Sequence, residues 1–369
     1  MEKYLDSYIY SLCSSLMEPA PLRIGLSHRT GTDIFTQLTD CIVLSDYHRF
    51  CKLLNKVHYK ENQQRLYTYI LSFALFNPSK IFVQPLLNKT GLHFDSILLC
   101  NLNIIHVSSA LGNISSLQSI ILHSTISINT QDSFGHNCLY YAYTHENYET
   151  FDYLIYHYPF LVNQKDAFGN TIIFYMIKDG KTNFLSQCIK KAKLDVQNDI
   201  GQSPLHFATS HKRIDIMNIL LSNGAPIDFT DTFYSTALHL AVEYNYEEGI
   251  STLLSYGASP NVMSTVSRTP LHLAVIRGNL KICQELCKYG ANVDIMDMFQ
   301  ISPMIYAATS GRTSILTMFI KLGHIPHHIQ LPPSIQGTIY TLQLLYITKR
   351  SKYWGKLPID LLRLVKLLF

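Results

Sequence analysis

Apolar residues along this chain recur in short helical stretches, usually two to a unit, with turn-forming residues between them. Stretches such as "IDIMNILLSNGA" (214–225) and "LKICQELCKYGA" (280–291) place apolar side chains three and four positions apart, the spacing of one helix face. Each is preceded by another short apolar stretch, and the pair returns at a fixed interval. Segments opening at 132, 166, 198, 231, 264 and 297 read "DSFGHNCLYYA", "DAFGNTIIFYM", "NDIGQSPLHFA", "DTFYSTALHLA", "STVSRTPLHLA" and "DMFQISPMIYA", with a weaker copy, "LLCNLNIIHVS", at 98. The steps of 32 to 34 residues predict seven copies of one supersecondary unit rather than a globular domain with variable loops.

Each unit carries its own punctuation. A turn-forming D-x-x-G opens the better copies. Thr171, Ser203, Thr236, Thr269 or Ser302 follows as a helix cap, and in three copies Pro204, Pro270 or Pro303 occupies the first helical position. Gly112, Gly180, Gly278 and Gly311 break the first helix from the second, and Gly224, Gly257, Gly290 and Gly323 end the second. Neither helix buries its apolar face alone, so neighbouring units must stack.

"SPLHFA", "TALHLA" and "TPLHLA", closed by "LLSNGAPID", "LLSYGASPN" and "LCKYGANVD", resemble ankyrin repeats. The resemblance implies an all-α fold of stacked helix pairs with hairpin loops over residues 98–329, binding another protein on its concave face. It also implies that His206, His239 and His272 tie the helix-starting turns by hydrogen bonds. The units from 132 to 197 depart from the pattern: Tyr140 and Phe174 replace the His, and Met176 stands where a small Ala is usual, which predicts looser or rotated packing there. Upstream, "LLNKVH" (53–58) and "LLNKTG" (86–91) lie in phase with the later units, so residues 32–97 are expected to form one or two degenerate capping units behind an N-terminal helix and irregular arm over 1–31.

The third position of the opening motif holds Phe134, Phe168, Ile200, Phe233, Val266 and Phe299, with Cys100 in the weak copy. Such an apolar ladder either packs the hairpin fingers against one another or forms a binding stripe; Phe134, Phe168, Phe233 and Phe299 are the candidate partner contacts. Tyr140, Tyr141, Tyr143, Phe174 and Tyr175 either add aromatic surface near the same region or belong to the core.

Bulk composition narrows the function classes. The 369 residues are 47% hydrophobic and 15% charged, a composition able to bury a large core. Thirty basic residues against 26 acidic ones, without a basic run, leave no electrostatic footprint for nucleic acid. The first 20 residues lack a secretory pattern, and apolar runs such as "YILSFALF" (69–76) fall short of the roughly 20 residues a membrane span needs. A cytoplasmic protein is expected, with the nucleus also open to it. Eight scattered cysteines without a C-x-x-C pair read as small buried hydrophobes; Cys283 and Cys287, one turn apart, read as two core positions of a single helix. Phosphate loops, nucleophile elbows and H-E-x-x-H are missing, "HIPHH" (324–328) has no nearby carboxylate or Cys, and neither enzyme activity nor a cofactor or metal is expected.

After 329 the period stops. Ile335, Ile339, Leu342 and Tyr346 form one helical stripe, and a second helix opening at Leu357-Pro358 gathers Leu361, Leu364, Val365 and Leu368 on one face. A module of this size behind ankyrin repeats resembles the SOCS box, which implies binding of elongin B/C and a cullin through Ile335, Ile339, Leu342, Leu357, Pro358, Ile359, Leu361 and Leu364. Ile339 stands where that family has Cys, and Asp360 replaces its second Pro. "LPIDLL" is also similar to the opening of an F-box, which implies the Skp1 adaptor instead. Residues 330–369 thus read as a ligase-adaptor module, with a simple cap over the last repeat, in a scaffold or inhibitor, as the competing reading.

Overall fold

The computed structural model describes residues 34–56, 70, 71, 74, 82–87, 102–123 and 126–323, and every regular element among them is helical. Contacts divide the chain between Ala167 and Phe168 into two compact units. The first contains α1 (Ile34–Val43), α2 (Tyr47–Leu54), α3 (Val83–Leu87), α4 (Ile104–Ala110), α5 (Ile114–His123), α6 (Cys138–Thr144), α7 (Tyr148–His157) and a 3-10 turn over Pro159–Asn163. α1 packs on α2, and Phe50 meets Phe82 edge to face at 5.0 Å. α4 packs on α5 and on α6, while α7 packs on α6 and reaches α5.

The second unit contains α8 (Ile172–Asp179), α9 (Thr182–Cys188), a 3-10 turn (Ile189–Lys191), α10 (Pro204–Ser210), α11 (Ile214–Ser222), α12 (Ala237–Glu243), α13 (Glu247–Ser255), α14 (Pro270–Arg277), α15 (Leu280–Lys288), α16 (Pro303–Thr309) and α17 (Thr313–Lys321). First helices stack in the order α8, α10, α12, α14, α16, and second helices in the order α9, α11, α13, α15, α17. Helices of seven to nine residues are too short to persist in water by themselves, so stability comes from this stacking. Ala208, Ala241, Ala274 and Ala307 are fully buried, and their small side chains let successive first helices close on one another.

The divergent repeat at 166–197 is packed, not loosened. Met176 is fully buried with its sulfur 3.7 Å from the Cys188 thiol, and Phe174 lies edge-on to Phe207 at 5.4 Å. Its irregularity is polar. Thr171 caps α8 with extended backbone, but with Phe174 in place of His its buried hydroxyl finds no partner among the described residues. A buried hydroxyl without a hydrogen bond costs about 1–3 kcal/mol. Thr171→Val removes it at nearly constant shape, and we expect urea unfolding to show a gain of about 1 kcal/mol; a loss of that size would mean the hydroxyl is satisfied.

Candidate functional site

Three fingers are shaped by the acid that opens them. Asp231 Oδ1 accepts from the backbone N–H of Phe233 at 2.8 Å and of Ser235 at 2.9 Å; Asp297 Oδ1 does the same for Phe299 at 2.9 Å and Ile301 at 3.1 Å. In the first unit Asp132 holds Phe134 and His136, both at 2.8 Å. The carboxylate is thereby buried and spent on its own turn. Burial pushes the carboxyls of Asp132 and Asp297 up, but the hydrogen bonds they accept, from His136 and Tyr141 at Asp132 and from Ile301, Tyr306, Phe299 and Arg268 at Asp297, hold both below the usual carboxylate value of 3.8.

Neighbouring fingers are joined through the carbonyls of the stripe residues. In the second unit Asp199 N–H donates to Phe168 O at 3.1 Å, Thr265 N–H to Phe233 O at 2.9 Å and Met298 N–H to Val266 O at 3.1 Å; the Thr232 hydroxyl donates to Ile200 O at 3.2 Å. In the first unit Ala167 N–H donates to Phe134 O at 2.9 Å. The backbone thus ties each of these fingers to the next. Phe168, Ile200, Phe233 and Phe299 are 59%, 60%, 66% and 59% exposed, while Phe134 and Val266 are half-buried. Tyr234, Met263, Met296 and Met298 are also exposed on these fingers.

Of the two readings of the aromatic residues around 140 and 174, the structure favours the core: Tyr140, Tyr141, Tyr143 and Phe174 are buried and Tyr175 is half-buried. Tyr140 stacks on His136 with ring centroids 3.8 Å apart, and the Tyr141 hydroxyl donates to Asp132 Oδ2 at 2.6 Å. These rings fill the volume of the missing His. Asn137 ties the start of α6 to the 3-10 turn after α7 instead, its amide donating to Leu161 O at 2.9 Å and Gln164 Oε1 at 2.7 Å.

The histidines behave as the resemblance implies. The backbone N–H groups of Thr236 and Thr269 donate to Nδ1 of His239 and His272, both at 3.1 Å, and that of Ser203 to His206 at 3.4 Å. An N–H donates only, so Nδ1 must be the acceptor and the ring proton sits on Nε2. Nε2–H then donates to the next finger: His206 to Ser235 O at 2.8 Å, His239 to Arg268 O at 3.0 Å and His272 to Ile301 O at 3.2 Å. His106, hidden behind Asn103-Ile104-Ile105 in the weak copy, repeats the arrangement with Asn103 N–H at 3.2 Å and Thr130 O at 3.2 Å. Burial pushes all four below the usual 6.5, His106 and His239 to about 4.

Arg268 closes the far end of the row. Its guanidinium contacts Asp297 Oδ2 at 3.3 Å and the Tyr306 hydroxyl at 2.9 Å, and lies 5.9 Å from the Phe299 ring centroid. Cys283 is buried and Cys287 half-buried on α15; burial raises their thiols to about 12 and about 11, which keeps both protonated. Among the described residues no group of His, Cys, Asp and Glu is arranged to hold a metal, and no helix is long and apolar enough to cross a membrane. The adaptor candidates Ile335, Ile339, Leu342, Leu357, Pro358, Ile359, Leu361 and Leu364 lie outside the described residues, as do Cys100 and "HIPHH".

Comparison with known proteins agrees with this architecture. The family pattern Ankyrin repeats (3 copies) matches residues 155–231, 173–264 and 238–328. Among solved structures, the ankyrin repeat domain of Bcl-3, described as a unique member of the IkappaB protein family, is similar with a TM-score of 0.53 at 21% identity. The match covers 57% of this chain and 96% of that one, a likeness of fold alone. No curated protein matches the chain.

Proposed function

We propose that this chain, whose residues 155–328 match ankyrin repeats, a fold that typically binds proteins and typically is not catalytic, is a substrate-recognition subunit of a cullin-based ubiquitin ligase. Its repeats hold a substrate protein at the finger tips. The observation that carries this part is the row of exposed apolar side chains at Phe168, Ile200, Phe233 and Phe299, on fingers already locked by backbone hydrogen bonds. A rigid apolar row loses little entropy on binding and gains by removing its surface from water. Phe134, half-buried, is the candidate contact of the first unit.

The last 40 residues bring the bound protein to the ligase. Support comes from the sequence: Leu357, Pro358 and Ile359 match the later element of a SOCS box, with an apolar helix carrying Leu361 and Leu364 behind them, while Asp360 departs from that element and matches the opening of an F-box, whose adaptor is Skp1. Calorimetry of the full chain against purified elongin B/C and purified Skp1 tests this. We expect one of them to bind, and Leu357→Asp with Leu361→Asp to abolish that binding while helix content is retained. Binding of neither adaptor leaves a partner-masking scaffold, whose C-terminal segment only caps the last repeat.

A further inference from the structure

Turn-making occupies only Oδ1 of each opening carboxylate, and the fate of Oδ2 differs from finger to finger. At Asp297, Oδ2 accepts from the Tyr306 hydroxyl at 2.8 Å and from Arg268 Nε at 3.3 Å. The Arg268 guanidinium lies 5.9 Å from the Phe299 ring centroid and 5.6 Å from that of Tyr306. At Asp132, the Tyr141 hydroxyl donates to Oδ2 at 2.6 Å and His136 Nδ1 lies 3.3 Å away. Asp231 has neither kind of partner. Gln202 stands 29 residues before it, where Asp297 has Arg268, and Leu240 stands nine residues after it, where Asp297 has Tyr306. Its Oδ2 accepts from no described residue, although Asp231 is only 9% exposed.

Taking the tips as the substrate site, as proposed above, we infer that Asp231 anchors an arginine side chain of the substrate protein, flanked there by apolar residues. The guanidinium takes on this carboxylate and the Phe233 ring the place that Arg268 takes on Asp297 and the Phe299 ring. Phe233 follows its Asp by two residues, as Phe299 does, and is exposed. A carboxylate this far buried gains more from a cation than a surface one does, because salt and solvent screen it less.

The turn does not need the charge. Asn198 shapes the preceding finger with a neutral amide, its Oδ1 accepting from Gln202 N–H at 2.9 Å. Nor do neighbours neutralise it. Fingers 195–203 and 228–236 contain no Lys or Arg; the nearest basic residue in sequence, Lys193, precedes the first of them. The two histidines that feel the field of Asp231, His206 and His239, are held as neutral rings. Asp199 and Asp228 add exposed carboxylates on the same two fingers. The Asp199 side chain makes no hydrogen bond among the described residues, and Asp228 Oδ1 accepts from Ser259 N–H at 3.0 Å. Three carboxylates beside exposed rings favour a cation over a neutral residue. Arginine suits the place better than lysine, because its planar fork donates to an oxygen while its face lies on a ring.

The test uses the full chain and a short fluorescein-labelled peptide with a single arginine flanked by leucines, compared with counterparts carrying citrulline or lysine in its place. Citrulline keeps the shape of arginine without its charge. Fluorescence anisotropy should show the arginine peptide binding about tenfold more tightly than the citrulline one and about threefold more tightly than the lysine one. Asp231→Asn, which keeps the turn as Asn198 does, should weaken the arginine peptide about tenfold. Gln202→Arg, which offers a guanidinium from the chain itself as Arg268 does, should block the site to the same degree without lowering thermal stability. Absent binding up to about 1 mM peptide, equal binding of the citrulline peptide, lysine binding as tight as arginine, or an affinity unchanged by either variant overturns the arginine assignment. If Asp231→Asn does not fold, Gln202→Arg decides alone. Failure here is separable from failure of the tips as a substrate site: a benzophenone amino acid at position 200 that still cross-links a cellular protein keeps the site and removes only the arginine.

Discussion

Acidifying the protein from pH 7 to pH 5 is expected to cost about 2 kcal/mol of stability at each of His106 and His239, with smaller losses of the same sign at His206 and His272. The fold requires the neutral ring: Nδ1 must accept from a backbone N–H, and burial penalises the charge. In the unfolded chain each His takes up its proton near pH 6.5, whereas folded His106 and His239 resist it until about 4. Their contribution is therefore complete above about pH 6.5, declines by about 1.4 kcal/mol per pH unit per residue below that, and is exhausted near pH 4. Asp132 and Asp297, held below 3.8, add their own losses only at lower pH. Denaturant unfolding at a series of pH values reads the effect. His239→Gln should lower stability at pH 7 and flatten the pH slope; a wild-type curve level between pH 7 and 5 contradicts the neutral-ring network.

The second large effect is on binding, with stability spared. Phe233→Asp combined with Phe299→Asp should reduce capture of protein partners about 100-fold or more, because each replacement forfeits about 1.5–3 kcal/mol of apolar burial and sets a charge against an apolar partner. Both side chains are more than half exposed in the free protein, so thermal unfolding should move by no more than about 0.5 kcal/mol. Quantitative mass spectrometry of proteins recovered with the tagged chain reads the first quantity, and circular dichroism the second. Undiminished recovery from a folded variant would place the contact elsewhere.

Much of the repeat was legible because its chemistry is local. Ser203 or Thr269 before Pro, with His three residues later, needs only one turn of chain to make its cap, and that turn is written in consecutive letters. The same locality explains why His106 escaped notice: Asn103 caps as well as Thr does, but Asn-Ile-Ile-His does not look like Thr-Pro-Leu-His. Contacts between fingers were not legible. An apolar third position is compatible with packing or with display, and only the bonds from one finger to the carbonyl of Phe168 or Phe233 reveal that the backbone does the packing. The tyrosines at 140–143 are ambiguous in sequence for a related reason. Tyrosine is common at interfaces, but here the loss of a His opened space that Tyr140 and Tyr141 fill, with Asp132 as partner for the hydroxyl. At the other end, the Leu-Pro-Ile-Asp signature is a pattern of sequence whose residues lie outside the described ones, and the adaptor remains a proposal resting on that pattern.

Site-specific photo-cross-linking in cells tests most directly whether the finger tips are the partner surface. A benzophenone amino acid is placed in the full chain at position 200, on an exposed tip, or at position 256, where Tyr256 is exposed at the end of α13. The tip account predicts a covalent adduct with the partner from position 200 and none from position 256. An adduct from 256 with none from 200 would contradict it.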